Sequence, residues 1–178
     1  MSDFPIGGVG SRLERAGFAF HRPGNGGLAQ AAGLAVLLGA VVILADLKLV
    51  HPKDINVPWP ASVVFYPLIG VVAEMVFHVL PLAALLTVLP VRASMLTTAL
   101  IEPSFQIALM LAGTPIVGIT REYSVTLLMF DWIQIFVINY AQLQIFRRYD
   151  FVAMYFLRLV YYVIWHIAWG HLRLSVLF

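Results

Sequence analysis

Apolar residues dominate five stretches of the chain, over 28–50, 60–89, 94–113, 122–146 and 150–178. A helix that crosses the hydrocarbon needs about 20 mostly apolar residues. Each stretch predicts one membrane-spanning helix. Polar or proline-rich breaks separate them: "HPKDINVPWP", "PVRAS", "TPIVGITRE" and "RRYD". Such clusters mark loops and turns. Pro67 and Pro81 predict kinks in the long second stretch. Residues 1–27 are polar and Gly-rich and lack the continuous apolar run of a signal peptide. They predict a surface segment, with a small interfacial helix around "SRLERAGFAF".

Composition agrees with this pattern. Of 178 residues, 61% are hydrophobic and 11% charged, and the mean hydropathy is +0.91. Soluble domains are about one quarter charged. The expectation is an all-α integral membrane protein, a bundle of five spans over 28–178 with a polar interior. There is no Cys, so disulfides, thiolate metal sites, a Cys nucleophile and S-palmitoylation are excluded. The net charge is +2 and the bases are scattered, which argues against nucleic-acid binding. With five spans, Arg12, Arg15, Arg22, Arg92, Arg147 and Arg148 share one side of the membrane. Lys48, Lys53, Arg121 and Arg173 share the other. The positive-inside rule then predicts a cytoplasmic N-terminus, and the expected location is a bacterial-type inner membrane.

Ionisable side chains inside a span are costly and normally face the bundle interior. Glu74 and His78 lie four apart on the second span, hence on one face. Glu102 and Gln106 repeat that spacing on the third. Asp131, Gln134 and Gln142 form a stripe on the fourth, with Asn139 beside it. Arg158, Tyr162 and His166 follow at steps of four on the fifth. Arg158 is the only cation expected well inside a span, facing Glu74, Glu102 and Asp131 as candidate anions. His51 is expected at the surface, in its loop, and His171 at the interface.

One interior site shared by these residues admits several chemistries. The first is a structural network built on Arg158. The second is a divalent-metal site drawn from Glu74, His78, Glu102, Asp131 and His166, since His and carboxylate suit zinc, manganese or iron. The spacings are neither Glu-x-x-His nor His-Glu-x-x-His, and Arg158 would repel a cation. A third is haem, with His78 and His166 as axial ligands. The aromatic run Tyr155, Phe156, Tyr161, Tyr162, Trp165 and Trp169 reads as packing and an interfacial belt, or as a groove for a lipid, quinone or pigment.

The order of these features resembles the CPBP family, the CAAX-protease and bacteriocin-processing intramembrane metalloproteases. The family's first motif is Glu-Glu, two apolar residues, an aromatic and Arg. "AEMVFH" at 73–78 fits that frame. The second is Phe-x-x-x-His, where "TTALIEPSFQ" offers Glu102 and Gln106. The third follows a basic turn and ends His-x-x-x-Asn or Asp, and "RRYDFVAMYFLRLVYY" offers Arg158 and Tyr162. The resemblance covers about 60–170. It implies a helical membrane fold and places the family's general base at Ala73 and its metal-binding histidines at Gln106 and Arg158. Of the mapped catalytic positions only Glu74 keeps its residue. The expectation is therefore a non-catalytic member without a cofactor, in which Glu74, His78, Glu102, Gln106, Asp131, Arg158, Tyr162 and His166 form a polar network. Its expected partners are the lipid bilayer and another integral membrane protein, which it serves as an accessory, assembly or scaffold subunit. The alternative is an intramembrane metalloprotease-like hydrolase rebuilt on Glu74, His78, Glu102 and His166, with a divalent metal.

Overall fold

The structure is a computed structural model and describes residues 5–24, 26–111 and 124–178. "TPIVGITRE", with Arg121, lies outside the described residues. No strand occurs among those described. The helices are α1 (Pro5–Arg15), α2 (Gly26–Leu49), α3 (Ser62–Ala73), α4 (Leu80–Leu85), α5 (Val91–Leu111), α6 (Val125–Arg148), α7 (Phe151–Tyr162) and α8 (Gly170–Val176). A π-helical turn, Glu74–Val79, joins α3 to α4, and a second, Val163–Trp169, joins α7 to α8. Five helices are thus long and apolar enough to cross a membrane: Gly27–Leu49, Ser62–Leu85, Val91–Leu111, Val125–Arg148 and Phe151–Val176. The protein is a multi-pass, all-helical membrane bundle.

The first span buries one narrow stripe, Gly27, Ala31, Ala35, Gly39, Val42 and Asp46, at steps of three and four. Leu37 and Leu44, off that stripe, are largely exposed and face the lipid. Small residues let backbones approach closely in a membrane, where no hydrophobic force draws helices together. A Cβ on Gly39 would lie 2.7 Å from Ile164 Cγ2, and one on Gly27 would lie 2.8 Å from Tyr149 Cγ. The fifth span therefore rests directly against the first.

In the second span Pro81 has no N–H to offer the preceding turn. The helix widens just before it, and the Leu80 N–H bonds the Met75 carbonyl, five residues back. The helix continues through both prolines. The turn between the fourth and fifth spans is fixed by Asp150. Its Oδ1 accepts the Ala153 N–H at 2.8 Å, capping α7, and its Oδ2 accepts the Arg22 N–H at 2.9 Å. That second bond ties the N-terminal segment to the bundle. Leu13 and Phe18 of this segment are fully buried, and the Phe18 ring packs 5.1 Å from that of Phe146. The predicted interfacial helix begins earlier than expected, at Pro5, and ends at Arg15.

Candidate functional site

The π turns carry His78 of the second span and His166 of the fifth. Such turns are often found at functional sites. Between these helices lies the first of two buried polar networks. Arg158 holds Glu102 in a two-pronged grip, Nη1 to Oε1 at 3.0 Å and Nη2 to Oε2 at 2.8 Å. Its Nε donates to Glu74 Oε1 at 2.5 Å, and Nη1 also reaches the Tyr162 hydroxyl at 2.9 Å. Nη2 has longer contacts to Asn139 Oδ1 at 3.4 Å and Gln142 Oε1 at 3.3 Å. The Gln142 amide donates to Glu74, and the Gln106 amide donates to Glu102 at 3.1 Å. His78 Nδ1 stands 3.0 Å from Glu74 Oε2, outside hydrogen-bond geometry. Four spans contribute, and the guanidinium occupies the centre.

The second network was not expected. Asp46, fully buried near the end of the first span, accepts five hydrogen bonds. They come from the His51 N–H (2.7 Å) and Nδ1 (2.8 Å), Arg173 Nε (2.7 Å) and Nη2 (3.0 Å), and Trp169 Nε1 (2.7 Å). Arg173 also donates to the carbonyls of His51 at 2.6 Å and Pro52 at 2.9 Å. The other His51 nitrogen, Nε2, lies 2.9 Å from Asp131 Oδ1. His51 thus bridges two carboxylates. Burial opposes charge on the ring, but the hydrogen bonds and charges of Asp131 and Asp46 outweigh it and raise its pKa to about 8.

Three expectations are corrected here. His51 is buried rather than on the surface, because folding the loop inward gives both ring nitrogens a carboxylate. Arg173, expected among the charges that flank the spans, is a second buried cation. Asp131 pairs with His51 rather than with Arg158. The remaining predicted residue, His166, directs Nδ1 to Asn56 Oδ1 at 2.6 Å and stacks on Tyr66 at 4.4 Å. His171 is exposed. One signal for Arg173 stands in the sequence. The polar stripe Arg158, Tyr162, Trp165, Trp169, Arg173 continues at steps of three and four to the end of the fifth span.

Of the proposed ligands, Glu74 and Glu102 bond Arg158, His78 stands beside Glu74, and Asp131 and His166 take other partners. Among the described residues no three His, Asp or Glu side chains converge as a set that could hold a metal ion. The two networks and His166 border one cavity of about 220 Å³, lined by Glu102, Gln106, Asp131, Arg158, His51 and His166 among others. No protein-family model, no curated protein and no solved structure matches the chain.

Proposed function

We propose that this is a non-catalytic membrane protein of CPBP-like build that serves another integral membrane protein as an accessory, assembly or scaffold subunit. The observation that carries this reading is the meeting of the motif positions. Glu74, Glu102, Gln106 and Arg158 come from three helices and are joined by direct hydrogen bonds. His78 touches Glu74 in the same cluster. On the resemblance, these are positions that would map onto a catalytic centre. A guanidinium fills it and takes Glu74 Oε1 and both Glu102 oxygens. A second cation there would meet direct repulsion. The Glu74–Arg158–Glu102 core holds the second, third and fifth spans in one arrangement, the best-attested use of buried ion pairs. Apolar faces that point outward then remain for lipid and for a partner. On this reading the N-terminus is cytoplasmic, in a bacterial-type inner membrane.

Extraction of tagged protein from its native membrane in mild detergent tests this. The expected result is a stoichiometric integral membrane partner, and metal far below one atom per chain. A lone monomer would remove the accessory role. About one zinc, manganese or iron per chain, lost in a Glu74→Gln/Glu102→Gln variant, would replace this reading with the hydrolase.

A further inference from the structure

The helix α1 lies on the bundle by one side. Leu13 is fully buried there, and Val9 and Ala16 pack against the core. Arg12 and Arg15, three apart, flank that side together and are exposed. Beside them runs the turn between the second and third spans. Arg12, Arg15, Thr87, Leu89, Pro90 and Val91 line a groove of about 560 Å³. The second span ends at Leu85 and the third begins at Val91, so the groove lies where the spans leave the hydrocarbon.

The groove carries unmatched positive charge. Arg15 Nε donates to the Ser11 carbonyl at 3.1 Å, which leaves both of its Nη groups. Neither arginine has a carboxylate partner among the described residues. Glu14 is the one acid on α1. Arg92, Arg147 and Arg148 are exposed on the same side of the bundle, where Asp150 is already bonded to the backbone of Arg22 and Ala153. The groove is also apolar in part. Leu89 lines it, and Val88, next to Thr87, is 76% exposed.

Guanidinium groups match phosphate oxygens in geometry and charge. Basic pockets at the ends of spans suit anionic lipid headgroups. A zwitterionic lipid would bring its own ammonium against the arginines, and a free anion would leave the apolar rim unused. At roughly 30 Å³ per water molecule the groove equals about 19 waters, room for a whole headgroup. We propose that this groove binds one anionic phospholipid, its phosphate held by Arg12 and Arg15 and its first acyl carbons lying against Val88 and Leu89. The inference is independent of the accessory role. It needs only the groove and its charge.

Thermal unfolding of the full chain in nonionic detergent tests it, with phosphatidylglycerol as the probe and phosphatidylcholine and sodium phosphate as controls. The expected result is a saturable rise in melting temperature of about 3 °C or more with phosphatidylglycerol alone. That rise is lost in Arg12→Gln/Arg15→Gln. It is kept in Arg147→Gln/Arg148→Gln, which removes the same charge from the same side but outside the groove. It is also lost in Thr87→Trp, which fills the groove and leaves both arginines, and which decides the matter if the first variant does not fold. An equal rise with phosphatidylcholine or with phosphate would overturn the proposal. So would a rise that persists in Arg12→Gln/Arg15→Gln or in Thr87→Trp, an equal loss in both arginine pairs, or no saturable rise.

Discussion

Arg158 and Arg173 lie on the same face of the fifth span, about four turns apart, yet they are held in opposite ways. Arg158 serves two acids, Glu74 and Glu102, each with few other donors. Arg173 serves one acid, Asp46, which also receives three hydrogen bonds from His51 and Trp169. The first network depends on its cation; the second would keep most of its anion's partners without one. They also fasten different parts of the bundle. The Arg158 network joins the second to fifth spans at depth. The Asp46 network pins the end of the first span, the following loop and the fourth span to the last turns of the fifth.

This asymmetry sets the expected cost of losing each arginine. Arg158→Met strands two buried carboxylates and should destabilise by about 5 kcal/mol, the upper end for a broken buried pair. Denaturation in mixed micelles measures it. Adding Glu74→Gln and Glu102→Gln to the same chain should restore much of the loss, because the charges left unpaired are then gone. A triple variant no more stable than Arg158→Met would show that the arginine acts through packing rather than through charge.

Arg173→Met should cost less, about 3 kcal/mol, the lower end of the same range, since Asp46 keeps the His51 and Trp169 donors. The two arginines share no hydrogen-bond partner among those described above. Their costs should therefore add within about 0.5 kcal/mol in the double variant. A larger coupling would mean that the cavity between them transmits strain and that the two networks act as one.

Sequence spacing reveals one of these networks and hides the other. Steps of four placed Glu74 with His78, Glu102 with Gln106, and Arg158 with Tyr162, each on one face of its own helix. In a membrane such faces have only the interior to turn to, so their meeting was legible. Asp131 also had to face inward, but spacing along one helix says nothing of how that helix is rotated against its neighbours. Spacing alone therefore sets it against Arg158, where the structure pairs it with His51. His51 follows the end of the first span, beyond any helical repeat. A loop residue just before a proline reads as exposed unless one knows that Asp46 and Asp131 flank the fold of that loop. The π turns are hidden for a related reason. Each adds one residue to a helical turn. Only for the first does a visible cause stand nearby, in Pro81.

His51 offers the smallest effect and the sharpest discrimination, because it belongs to the second network alone. Burial disfavours the charged ring. The hydrogen bonds and charges of Asp131 and Asp46 favour it more, and the pKa rises from 6.5 to about 8. A folded-state value above the unfolded one means that the proton stabilises the fold. That contribution is fully present below the unfolded value and is lost as pH rises through the folded one. A shift of this size corresponds to about 2 kcal/mol. Unfolding free energy in micelles should accordingly fall by about 2 kcal/mol between about pH 6 and about pH 9. His51→Gln should flatten that slope, and Arg158→Met should leave it intact on a lower baseline. If the slope survives in His51→Gln, another group carries it. The bridge between Asp46 and Asp131 then holds with a neutral ring and one protonated carboxyl.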